Sequence, residues 1–78
     1  MSSKDILGYV KAQPFRPFRV VMNSGRSFDI RHPEMVRVGR DYFILFTTVN
    51  DNPDLVDHWE TISLLLVESV SHLDAQAV

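Results

Sequence analysis

The chain contains no cysteine. That single absence removes thiol nucleophiles, thiolate metal sites and disulfide staples, and it fits a reducing cytoplasm. Long apolar runs are missing too. The opening residues, M-S-S-K-D-I-L-G-Y-V, lack the hydrophobic stretch of a signal peptide, and no segment is long enough to span a membrane. The expectation is a cytoplasmic protein with no membrane partner. Glycine is scarce and scattered: Gly8, Gly25 and Gly39 stand alone, whereas phosphate-binding loops cluster their glycines ahead of a helix. Nucleotide binding is therefore unsupported. Lysine and arginine are absent from residue 41 onward.

Two chemical signatures fail on inspection. Asp51 opens an acidic stretch that invites a calcium reading, but Val56 and Ile62 occupy the positions where such a loop needs glycine and glutamate. His32 and Glu34 could form an acid–base pair, yet no nucleophile or partner is fixed beside them by spacing. His32, His58 and His72 do not have the spacing of a metal motif. The sequence thus names no catalytic, cofactor-binding or metal residue. It implies a protein that is not an enzyme and carries no cofactor.

What is present is an apolar excess. Hydrophobic residues make up 45% of 78 positions, five of them phenylalanine, with no disulfide to reinforce a thin core. A chain of this size buries only about 60% of its unfolded surface, so one domain over 1–78 that self-associates is the expectation.

The most decipherable stretch is 13–40. Phe18, Val20 and Met22 alternate with Arg19, Val21 and Asn23, and Phe28 and Ile30 alternate with Ser27, Asp29 and Arg31. Both are period-two strands. A two-residue loop at Ser24-Gly25 would put their apolar sets on opposite faces. A three-residue loop, Asn23-Ser24-Gly25, sets Val20 opposite Phe28, Phe18 opposite Ile30, and Arg19 opposite Asp29 on the outside. It also gives Gly25 the left-handed position that only glycine occupies without a Cβ clash.

Around this hairpin, Ser2 or Ser3 caps a short helix whose Ile6, Tyr9 and Val10 share a face, and Pro14 ends it near Ala12. His32-Pro33-Glu34 reads as a bend, 35–38 as a strand and 39–41 as a turn. Tyr42-Phe43-Ile44-Leu45-Phe46 is apolar throughout, which implies cover on both faces. The segment from Asn50 to His58 reads as a loop. Then follow a strand at 58–62, a helical turn over 63–65, a strand from about 67 to 73, and a tail that frays from Asp74. The expected core is Phe18, Val20, Phe28, Ile30, Val36, Ile44, Phe46, Ile62 and Val70.

The Q-P-F-R-P-F-R-V lead-in, the S-G-R turn, the R-H-P-E bend and the V-G-R turn together resemble a group of short, uncharacterised bacterial proteins. The helix, the strands and the helical turn before the last strand also resemble Sm-like proteins, whose SH3-type barrels have about five strands. Ile30-Arg31-His32-Pro33 stands where Sm-like chains place a glycine, and their acidic-then-Asn loop is missing, so the likeness is one of architecture. It implies a mainly β, small SH3/Sm-like barrel with one N-terminal helix. The competing fold is α+β, with a C-terminal helix at 63–73.

Charge is unevenly distributed along the chain. Residues 1–40 hold all eight basic residues against Asp5, Asp29 and Glu34, a net of +5, and residues 41–78 hold seven acids. Internal pairing across the fold is the plainest consequence. The sharper one is a nucleic-acid face of Arg16, Arg19, Arg31, Arg37 and Arg40 with Phe15 and Tyr42 between them, although a pI of about 5.8 argues against it. The favoured function is a self-associating protein-interaction module using Tyr42, Ile44, Phe46, Leu64 and Leu66. The alternative is an Sm-like RNA-binding protein.

Overall fold

The computed structural model describes residues 1–50 and 52–74. Helix α1 (Ser3–Val10) is followed by β1 (Phe18–Met22), β2 (Ser27–Ile30), a 3-10 turn at Pro33–Met35, and β3 (Val36–Val38). Then come β4 (Tyr42–Val49), β5 (Asn52–Ser63), a second 3-10 turn at Leu64–Leu66, and β6 (Val67–His72). The protein is mainly β, with one N-terminal helix. The strands form two three-stranded antiparallel sheets, β2-β1-β6 and β3-β4-β5. Among the described residues no strand pair joins one sheet to the other.

The first hairpin adopts the register that parity requires. Phe18 faces Ile30, Arg19 faces Asp29, and Val20 faces Phe28. The Met22 N–H donates to the Arg26 carbonyl at 2.8 Å, and the Gly25 N–H donates to the Met22 carbonyl at 2.9 Å. Gly25 takes φ +94°, with open space where a Cβ would stand, so its demand is on backbone conformation and not on room. β6 pairs along the other side of β1, setting Val20 against Val70. In β1, Phe18, Val20 and Met22 are all buried.

The helix begins at a Ser2 cap whose hydroxyl accepts from the Asp5 N–H at 3.2 Å. Ile6 is wholly buried, and the Tyr9 ring packs at 5.2 Å from Phe18 and 5.0 Å from His72. One core results, with Ile6 from the helix, Phe18, Val20, Met22 and Ile30 from one sheet, Val36, Phe43, Leu45 and Ile62 from the other, and Leu64 from the second 3-10 turn. A C-terminal helix at 63–73 is replaced by that turn and β6.

Two expectations are corrected. In β4 the core takes Phe43 and Leu45, while Ile44 and Phe46 lie half-buried on the other face. Five consecutive apolar residues carry no alternation, so the face is chosen by register: Phe43 pairs with Ile62 and Val38, and Leu45 pairs with Val36. Phe28 and Val70 pack against the core from half-buried positions. The second correction is the loop at 50–58, where β5 already begins at Asn52. The chain reverses after Val49 through Asn50, which adopts φ 50°, a conformation asparagine tolerates. Beyond the turn, Val56 and Trp59 are strand formers that pair back along β4, with register shifts near Thr48. The result is a long β4–β5 arm. The calcium reading hinged on Asp51, which lies outside the described residues, as do 75–78 of the expected fraying tail; Asp74 itself is held by Arg16 at 2.7 Å.

Parity in β4 is directly testable. Phe43→Ala is expected to cost about 3–5 kcal/mol, and Phe46→Ser about 1 kcal/mol or less, in urea denaturation. Equal losses would return Phe46 to the core. Gly25→Ala is expected to cost about 1–2 kcal/mol from backbone conformation alone. Hydrogen exchange should show the same hairpin register in that variant.

Candidate functional site

The arginines are the natural place to begin, because their partners decide which charge is left for a ligand. Arg16 forks onto Asp74, with Nη2 to Oδ1 at 2.7 Å and Nε to Oδ2 at 3.0 Å. Arg19 forks onto Asp29 across the β1–β2 pair at 2.7 and 3.2 Å, and Arg31 approaches the same carboxylate at 3.7 Å. Arg26 forks onto Glu60 at 2.9 and 3.0 Å while its guanidinium lies 4.9 Å above the Phe28 ring. Arg26–Glu60 and Arg16–Asp74 connect the basic and acidic halves of the sequence.

Of the five arginines proposed for nucleic acid, Arg16, Arg19 and Arg31 therefore already face a carboxylate. Arg37 and Arg40, with Lys4 and Lys11, form no ion pair among the described residues. Arg37 is exposed on β3 opposite Ile44, and Arg40 is in the turn that follows. The five are not one face: Arg19 lies on the sheet of β1, Arg37 on the other.

The apolar residues converge better. On the side of β4 that turns away from the core, Tyr42, Ile44 and Phe46 stand in a row, paired with Ser63, Thr61 and Trp59 of β5. Trp59 is 60% exposed and Val56 52%, far more than a tryptophan or valine in a closed fold. Tyr42 is held beside its turn because the Gly39 N–H donates to the Tyr42 carbonyl at 2.8 Å, and a Cβ at Gly39 would run into the Tyr42 ring. Leu64 is in the core, so it is not available to a neighbour, whereas Leu65 and Leu66 project outward.

A groove of about 860 Å³ opens beside this row. Its walls are Leu7, Val10 and Lys11 of α1, Val36, Arg37 and Val38 of β3, and Phe46 and Val56 of the arm, with Pro33 and Glu34 at one end. Sequence reasoning missed Leu7, Lys11 and Val56. The signal was available for Leu7, an apolar residue off the helix face that Ile6, Tyr9 and Val10 define. A smaller hollow of about 250 Å³ between the β1–β2 turn and β5 is edged by Arg26 and Glu60.

His32, His58 and His72 lie on the first 3-10 turn's lead-in, on β5 and on β6, and no group of three or more metal-ligating side chains gathers among the described residues. No helix among them is long and apolar enough to cross a membrane. No family model matches the chain, and neither a curated protein nor a solved structure does.

The ion pairs set a pH dependence. The Arg19 hydrogen bond, against partial desolvation and with the charges of Arg19 and Arg31, holds the Asp29 carboxyl below its ordinary value. The Arg26 hydrogen bond does the same for Glu60, assisted by the charges of Arg26 and His58. Depressed carboxylates bind fewer protons in the folded chain than in the unfolded one. Their stabilisation is thus complete above the ordinary carboxylate pKa, about 4, and fades as pH falls through the lower folded value. Thermal melts should be flat from pH 7 to about 5 and fall below about pH 4. Asp29→Asn should melt lower than the parent at neutral pH, and the gap should close in acid. A gap that stays constant with pH would remove Asp29 from this account.

Proposed function

We propose that this chain is a non-enzymatic assembly module of the cytoplasm, a small SH3/Sm-like barrel that associates with further copies of itself. The observation that carries the reading is the row Tyr42, Ile44, Phe46 on β4 continued by Val56 and Trp59 on β5. It is an apolar surface that the chain's own helix and sheets cover only in part: Tyr42, Val56 and Trp59 are exposed, and Ile44 and Phe46 are half-buried.

The barrel part of the proposal draws on strand order. Taking β2 and β3 as one strand bent at the 3-10 turn, the two sheets read continuously as β6-β1-β2/β3-β4-β5, the succession of a small barrel rolled from a single meander. Edge strands add to the case for association. β5 and β6 each pair on one side only among the described residues, and neither contains a lysine to discourage pairing. RNA binding is the second reading, and the carboxylates on Arg16, Arg19 and Arg31 leave it little free charge.

Sedimentation equilibrium at micromolar concentration tests the proposal. An assembly of two or more copies is expected, weakened by Phe46→Ser or Trp59→Ser without loss of the folded state. A monomer throughout that range would sink it.

A further inference from the structure

The charges that find no partner among the described residues are not randomly placed. Lys11 and Arg37 line the groove between α1 and β3, whose other walls are mostly apolar and include Leu7, Val10, Val38 and Phe46. Neither cation has a carboxylate partner among the described residues, and Glu34 at the end of the groove leaves it net positive. The arm carries the complement. Asp54 and Asp57 are exposed and form no ion pair among the described residues, on a strand that also exposes Val56 and Trp59. One surface is apolar and basic, the other apolar and acidic.

We infer that the β4–β5 arm of one copy docks in the groove between α1 and β3 of a second copy, its Asp54 and Asp57 meeting Lys11 and Arg37. This rests on the self-association reading and gives it an interface. A groove of about 860 Å³ falls within the size range of concave binding sites, roughly 300–1,000 Å³. A chain's own arm does not fill its own groove, because Phe46 and Val56 already serve as one wall of it. Arm and groove adjoin through that shared wall, so a single two-fold axis can seat both arms at once. The product is a closed dimer in which arm and groove are each used once per copy.

Charge reversal distinguishes this interface from association by any other face. The Lys11→Glu/Arg37→Glu variant presents an acidic groove to an acidic arm, and the Asp54→Lys/Asp57→Lys variant presents a basic arm to a basic groove. Each alone should dimerise at least about 100-fold more weakly than the parent, since facing like charges repel across an interface. An equimolar mixture should recover the two-copy mass, because both arm–groove contacts are complementary between the two variants. Circular dichroism melts accompany each sample, and the single reversals Arg37→Glu and Asp57→Lys replace either double variant that fails to fold. Parent-like association of both variants, or a mixture that stays monomeric, overturns the arm-in-groove contact while leaving self-association through another face intact. A parent protein that is itself monomeric overturns both.

Discussion

Strand β1 is the constraint on which the rest depends. It is the one strand in its sheet paired on both sides, and Phe18, Val20 and Met22 all point into the core. Its alternation fixes which face of β2 and β6 turns inward, because a one-residue slip would move every apolar side chain of the pair to solvent. Gly25 closes the turn that holds that register, at a φ that a Cβ would strain. The helix follows from the same strand: the Tyr9 ring meets Phe18, and Ile6 is wholly buried in the same core. An eight-residue helix has little stability alone, so its presence reflects this docking.

What was legible in the sequence followed from local contrast. The first hairpin, its three-residue loop and the Arg19–Asp29 pair could all be read because polar and apolar residues alternate there and a glycine marks the turn. The Ser2 cap, the bend at Pro33 and the turn before β6 were legible for similar reasons, since each rests on residues a few positions apart. β4 was legible as a strand but not as a face. With Tyr42 to Phe46 uniformly apolar, only pairing with Val36 and Ile62 selects Phe43 and Leu45 for the core. The arm was hidden by its own composition, since Asn50, Asn52, Pro53 and Asp54 are turn formers drawn into or beside a ladder.

Ion pairs divide along the same line. Arg19 and Asp29 are cross-strand neighbours in a short hairpin, so their meeting follows from register. Arg26 and Glu60 are separated by 34 positions and Arg16 and Asp74 by 58, and nothing local brings them together. The uneven charge of the two sequence halves therefore misleads if taken as two faces. Two of the pairs draw one partner from each half, and the basic residues of 1–40 that form no ion pair among the described residues are a smaller set, Lys4, Lys11, Arg37 and Arg40. The groove was illegible for a related reason: its walls come from α1, β3, β4 and β5, which only the folded chain assembles.

The half-covered outer face of β4 follows from size. A strand whose five leading residues are all apolar needs a layer on each side, and a chain of 78 residues has one helix to offer. That helix is committed to Phe18 and His72 through Tyr9 and to the core through Ile6. Covering Ile44 and Phe46 from within would take a second helix or a third layer, and small domains run short of such material because surface grows relative to volume as chains shrink. The β4–β5 arm deepens the deficit, since it exposes Leu55, Val56 and Trp59. The geometry that gives this protein its single core is therefore the same geometry that leaves an apolar strip beside a basic groove.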